Sequence, residues 1–247
     1  MHADVLARAS RGLPTVKYYG KWPFTRVLGM QELFSTLFSV ANAVPFAQAL
    51  LTWRAQAPDS YFMKPLWVGY AVSAMNTWVW STAFHARDTV LTERLDYFCA
   101  TISICVMLLI ALVRVFELRD RRAWAALGTA GALFLCYHCG YLHFVHFDYG
   151  YNMTVSVALG LAYVALWWAW ALRQRGGRVT YAWKVALANL IILVFAAFEV
   201  FDFPPLWGLL DAHAVWHAAT PVSTYLLWSF ALDDAKFMAD RSVYKLL

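Results

Sequence analysis

A chain of 247 residues of which 62% are hydrophobic and only 14% charged, with 13 tryptophans and a mean hydropathy of +0.52, does not have the composition of a water-soluble domain. Its formal charge of +5 sits mainly in an amino-terminal arm and a few short loops and comes with no nucleic-acid motif. The charge therefore reports membrane orientation and anionic headgroups, not nucleic acid. An all-α membrane protein is predicted.

Residues 1–32 form a basic arm (Arg8, Arg11, Lys17, Lys21, Arg26) without the apolar run of a secretory signal peptide, so insertion is expected to rely on the first membrane helix. Seven apolar stretches follow, each near the ~20 residues a helix needs to cross a bilayer. They are predicted at 33–53, 61–85, 95–116, 123–143, 150–172, 181–201 and 212–232, with a cytosolic tail over 233–247. Short turn signals separate them: "RAQAPDS", "RDTVLTER", "RDRR", "HFDYGYN", "RQRGGR" and "DFPPLWG". Connections this short make sequential helices antiparallel neighbours. A seven-transmembrane helix bundle over 33–232 is the predicted fold.

Basic residues orient the bundle, because short cytoplasmic loops retain them. The first, third and fifth loops hold Arg54, Arg119, Arg121, Arg122, Arg173, Arg175 and Arg178, and the tail adds Lys236, Arg241 and Lys245. The second loop has only Arg87 and Arg94, and the fourth and sixth have none. This places the carboxyl terminus in the cytosol and the arm on the lumenal or exterior side, against the arm's own positive charge. All four cysteines (Cys99, Cys105, Cys136, Cys139) fall inside apolar stretches and are read as packing thiols, since the single CxxC has no second pair to complete a zinc site.

Ionisable side chains collect at one membrane face. Ser81 and His85, four apart at the end of the second stretch, share a helix face, and His213 and His217 repeat that spacing at the start of the seventh. The end of an even-numbered helix and the start of an odd-numbered one lie on the same side, and Asp96 at the start of the third stretch joins them. Three imidazoles with an open fourth position are a recurrent catalytic zinc arrangement. In that reading His85, His213 and His217 hold Zn²⁺ and Asp96 accepts a proton from water. Ser81 donates to the oxyanion, and Asp211 or Asp202 orients a histidine.

Plainer readings stand beside these. The histidine pair can cap a helix or sit at headgroup level, Ser81 can be a small residue for close packing, and Asp96 can be a first-turn carboxylate behind a Thr92 cap. His138 is read as a hydrogen-bonded structural residue or a histidine-orienting partner, while no spacing ties His143 or His146 to a metal. Arg87 and Arg94 flank the proposed site and either hold a lipid phosphate or anchor at the interface. Glu199 either serves the site or pairs with another helix. The abundant Trp and Tyr suit interfacial belts.

"KYYGKWPF", "NTWVWSTAFHARDTVLTERLDYF", "FDYGYN", "DFPPLWGLLDAHAVWH" and the closing "LDD" resemble the Per1-like family, post-GPI attachment to proteins factor 3, over nearly the whole chain from about Tyr18. That family belongs to the CREST superfamily of membrane hydrolases, which includes alkaline ceramidases and adiponectin receptors. The resemblance implies a CREST-type bundle with a serine, an aspartate and three histidines, matched here by Ser81, Asp96, His85, His213 and His217. It implies a zinc-dependent hydrolase of the GPI phospholipase A2 type, removing the sn-2 fatty acid from GPI-anchored proteins in the endoplasmic reticulum or Golgi with its site facing the lumen. Eukaryotic members usually carry a signal peptide and a cysteine-containing lumenal segment before "GKWPF", where this chain has about 20 residues. A ceramidase-like amide hydrolase and a non-catalytic receptor or scaffold with structural zinc are the competing readings.

Overall fold

A hydrated backbone is not available inside a bilayer, so an apolar chain of this kind must satisfy its peptide groups within each segment, and helices do so. The computed structural model describes residues 2–18 and 21–244, and among these it contains helices and isolated bridges but no strand. Tyr19 and Gly20 of the "KYYGKWPF" motif, and Lys245 of the predicted tail, lie outside the described residues. A short helix α1 (His2–Ser10) opens the arm. Seven long helices follow where the seven stretches were predicted: α2 (Leu33–Gln56), α3 (Lys64–Ala86), α4 (Val90–Val115), α5 (Arg121–Val145), α6 (Tyr149–Arg173), α7 (Ala182–Phe201) and α8 (Ala212–Tyr244). Residues 233–244 of the expected tail continue α8.

Five of these helices, α2, α4, α5, α6 and α7, are long and apolar enough to cross a membrane, which makes this a multi-pass membrane protein. The other two have a reason to be less apolar. Helix α3 carries Asn76, Thr77, Ser81 and His85, and α8 carries His213, His217, Thr220, Ser223 and Thr224, most of them buried inside the bundle. Neighbour contacts run α2–α3–α4–α6–α7–α8 and back to α2, closing a ring, while α5 leans on α4 from outside.

Lipid tails are as apolar as leucine, so the helices associate through packing and short polar contacts. Ser73 and Thr77 on α3 meet Ser103 on α4 at 2.9 and 2.8 Å, and Thr77 also donates to the Cys99 carbonyl. Ser223 on α8 donates to the Ala188 carbonyl of α7 at 2.9 Å. Toward the end of the bundle away from His217, Trp53, Trp67, Tyr70 and Phe46 surround Trp228, with ring centroids 5.4 Å (Trp53) and 5.5 Å (Trp67) from it. At the end away from His217, the buried Arg114 of α4 makes bonds of 2.8–2.9 Å to Asp234 of α8, which also accepts from Tyr61 and Tyr181. That cluster locks α4, α8 and two loops at one end and leaves the other for the site.

The cap of α4 departs from expectation. Thr89, not Thr92, is the N-cap: its hydroxyl accepts the Thr92 N–H, and the Thr92 hydroxyl accepts the Thr89 N–H in return. This reciprocal pair starts the helix one turn earlier and moves Asp96 into the second turn, beyond the strongest reach of the helix dipole.

Candidate metal centre

Two helices supply the imidazoles. The last two turns of α3 supply Ser81 and His85, each 3% exposed, and the first two turns of α8 supply His213 and His217, of which His217 is 2% exposed. The i, i+4 spacing stacks each pair on one helix face. The ring centroids of His85, His213 and His217 lie 5.1, 5.1 and 4.5 Å apart, and one nitrogen from each falls within 4.8 Å of the others.

Hydrogen bonds decide which nitrogens converge. His85 Nδ1 meets Glu32 Oε2 at 2.7 Å, His213 Nδ1 meets Glu199 Oε2 at 2.6 Å, and His217 Nδ1 meets Ser39 Oγ at 3.3 Å. A carboxylate only accepts, so the Nδ1 of His85 and of His213 carries the proton, and in the neutral ring each Nε2 keeps a lone pair. The Ser39 hydroxyl gives its proton to the Ser35 carbonyl at 2.7 Å, which leaves it an acceptor for His217 as well. His213 Nε2 and His217 Nε2 then face each other at 2.8 Å, and His85 Nε2 is buried with no partner. Two lone pairs at that separation repel unless a proton or a cation lies between them. The orphaned His85 nitrogen beside them fits a metal ion.

Ser81 and Asp96 border the imidazoles. Ser81 Oγ is 3.0 Å from Ser39 Oγ, whose own proton is on the Ser35 carbonyl, so Ser81 donates to it, and the half-buried Asp96 carboxylate lies beside Ser81, His85 and His213. A proton acceptor, a hydroxyl donor and three imidazole nitrogens thus share one end of the bundle.

The Per1-like family model matches residues 1–235. The chain belongs to the Per1-like family. It is 38% identical over 234 residues to the Bos taurus protein named "GPI-specific phospholipase A2-like PGAP3", covering 95% of this chain and 73% of that one. The Mus musculus protein of the same name is 40% identical over 227 residues (92% and 70%), and the "Protein PER1 homolog" of Schizosaccharomyces pombe is 36% identical over 246 residues (96% and 73%).

In this Per1-like chain the arm is fastened across the same end. The Gln31 and Glu32 N–H groups donate to the Ala86 and His85 carbonyls, which the end of α3 leaves without helical partners. Lys21 lies over the Phe84 ring and pairs with Asp88 and Glu93. Burial disfavours its ammonium, but the two carboxylates outweigh that and hold its pKa above the ordinary lysine value. Lys17 and Trp22 both bind Asp202, and Thr25 N–H donates to Gly208 O at 2.8 Å. Gly208 needs its missing side chain: its φ is +71°, and a Cβ there would come 2.7 Å from Thr25 Oγ1.

The other residues singled out from the Per1-like sequence are placed elsewhere. Asp211 caps α8, accepting the Ala214 N–H at 2.9 Å, and Asp202 serves the arm. His138 Nε2 bonds Asn152 Oδ1 at 3.1 Å between α5 and α6. Arg94 meets His143 Nδ1 at 3.1 Å and lies over Phe147, and Arg87 is exposed just past α3. The carboxylates on the imidazoles are instead Glu32 and Glu199. Sequence reasoning left Glu199 open and passed over Glu32 and Ser39. A signal for Ser39 was present: Ser35, Ser39 and Asn42 repeat at i, i+4 and i+7 along the first apolar stretch and form a buried polar stripe.

Proposed function

We propose that this Per1-like protein is a zinc-dependent GPI phospholipase A2 that removes the sn-2 fatty acid from GPI-anchored proteins during lipid remodelling. Its site would face the lumen of the endoplasmic reticulum or Golgi. The observation that carries the proposal is the convergence of three imidazoles, two buried and that of His213 half-buried, with their Nδ1 atoms already engaged, beside Asp96 and Ser81. The relatives' names point to the same substrate class.

His85, His213 and His217 would hold the zinc, whose chemistry at such a site is to polarise an ester carbonyl and bring the pKa of water to about 7. Asp96 takes the proton of the attacking water and returns it to the departing glycerol oxygen. Ser81 donates a hydrogen bond to the carbonyl oxygen as negative charge develops on it. Water is consumed and the ester C–O bond breaks, giving a free fatty acid and a lyso-GPI lipid. The acyl chain lies among the helices and the glycan stays outside, with Arg87 and Arg94 on the rim toward the headgroup phosphate.

The test is to incubate the purified protein with a GPI lipid carrying a labelled sn-2 chain and, separately, with labelled ceramide. Labelled fatty acid from the GPI lipid, absent with His217→Ala, is expected. Release from ceramide alone would transfer the site to amide hydrolysis, and release from neither would favour a receptor or scaffold.

A further inference from the structure

We infer that Glu32, Glu199 and Ser39 are the positioning residues of the metal centre, each holding one histidine in the tautomer and orientation that aims its Nε2 inward. This rests on reading the three histidines as a metal site. Among the described residues the set of mutually close ligand atoms contains the three imidazoles and no carboxylate, so Glu32 and Glu199 act through the histidines and not as ligands.

Each carboxylate is itself held. Glu32 grips His85 twice, by its side chain at Nδ1 (2.7 Å) and by its N–H on the His85 carbonyl (3.0 Å), so ring and backbone of one ligand are fixed from the junction of the arm with α2. Glu199 spends its second oxygen on Tyr149 of α6 at 3.1 Å, which ties α6, α7 and α8 at a single point beside His213. A dication among three neutral imidazoles leaves two positive charges, and these two carboxylates supply the matching negative charge. Hydrogen bonding of a ligating imidazole to a carboxylate also makes the ligand more basic. His217 has only a hydroxyl behind it, at 3.3 Å, and that hydroxyl is shared with Ser81. The support is therefore uneven: strong for His85 and His213, weak for His217.

Gln can still accept from Nδ1–H through its amide oxygen but carries no charge, whereas Met can do neither. This separates the two contributions. Zinc affinity of the full chain in detergent would be measured by chelator competition for wild type, Glu32→Gln, Glu32→Met, Glu199→Gln, Glu199→Met and Ser39→Ala, with the visible spectrum of the Co²⁺ form reporting ligand geometry. The expected losses are roughly 10-fold for the Gln variants, roughly 100-fold for the Met variants, and the smallest for Ser39→Ala. The metal-free Gln variants, which keep a bond to Nδ1–H, should unfold at the wild-type midpoint, and the metal-free Met variants somewhat below it. Met variants that bind zinc within about threefold of wild type, or Gln variants that lose metal-free stability in step with zinc, would overturn the inference. Should wild type fail to bind zinc, or His217→Ala bind it equally well, the metal reading itself falls. Wild-type binding lost in His217→Ala but intact in the Glu variants would overturn the positioning role alone.

Discussion

Replacing Asp96 with Asn removes the proposed proton acceptor and little else. The side chains are nearly isosteric, so the packing of this residue beside Ser81 and the imidazoles is kept. The α4 cap at Thr89 lies seven residues away and is untouched. None of the three imidazole Nδ1 bonds goes to Asp96, so zinc should stay. What is lost is general-base and general-acid transfer, typically worth about 10²–10⁴ in rate. At 1.36 kcal/mol per factor of ten, that is roughly 2.7–5.4 kcal/mol on the barrier. The assay is release of labelled sn-2 fatty acid from a GPI lipid by purified wild-type and Asp96→Asn protein of equal zinc content. Activity within tenfold of wild type at full zinc occupancy would refute the role given to Asp96.

Other consequences concern the frame around the site. Asp234→Asn leaves a buried guanidinium without its counter-charge, at about 3–5 kcal/mol, and should lower the unfolding midpoint in detergent by roughly 6–20 °C. Because Asp234 is 17 residues along α8 from His217, about 25 Å at 1.5 Å per residue, zinc content at low temperature should not change. Gly208→Ala forces a left-handed backbone, costing about 1–2 kcal/mol, and drives a methyl into Thr25. Trypsin should then cut the arm faster, and adding Thr25→Ala should restore part of its protection. Zinc ligation needs neutral imidazoles, so protons compete with the metal and progressive acidification should release zinc and activity together. Both should return when pH and zinc are restored, as they should after chelation.

Much of this was legible in the residues. Apolar run lengths located the seven long helices, and the i, i+4 spacing of Ser81 with His85 and of His213 with His217, joined by antiparallel topology, brought the three histidines together. The partners of those histidines were harder to see. Glu32 and Ser39 reach the site only because α2 packs between α3 and α8; the Ser35, Ser39 and Asn42 stripe marks a buried face without saying what it meets, and no spacing marks Glu32. Asp211 and Asp202 looked equally suited to orient a histidine, but local backbone chemistry claimed both. One starts a helix, and the other sits at positive φ past α7 and is taken by Lys17 and Trp22. Likewise Thr89 and Thr92 are interchangeable as caps on paper, and the reciprocal bond between them settles the order. Helices α3 and α8 are less apolar than their neighbours because the polar residues of the site are drawn from them.

The central claim is that His85, His213 and His217 hold a catalytic zinc ion. Elemental analysis of the purified wild-type and His217→Ala proteins, with circular dichroism to confirm equal helix content, tests it most directly. A single zinc ion per wild-type chain, absent from the variant together with fatty-acid release, is the predicted result. A wild-type protein that remodels GPI lipid without bound metal, or a His217→Ala protein that keeps both zinc and activity, would contradict it.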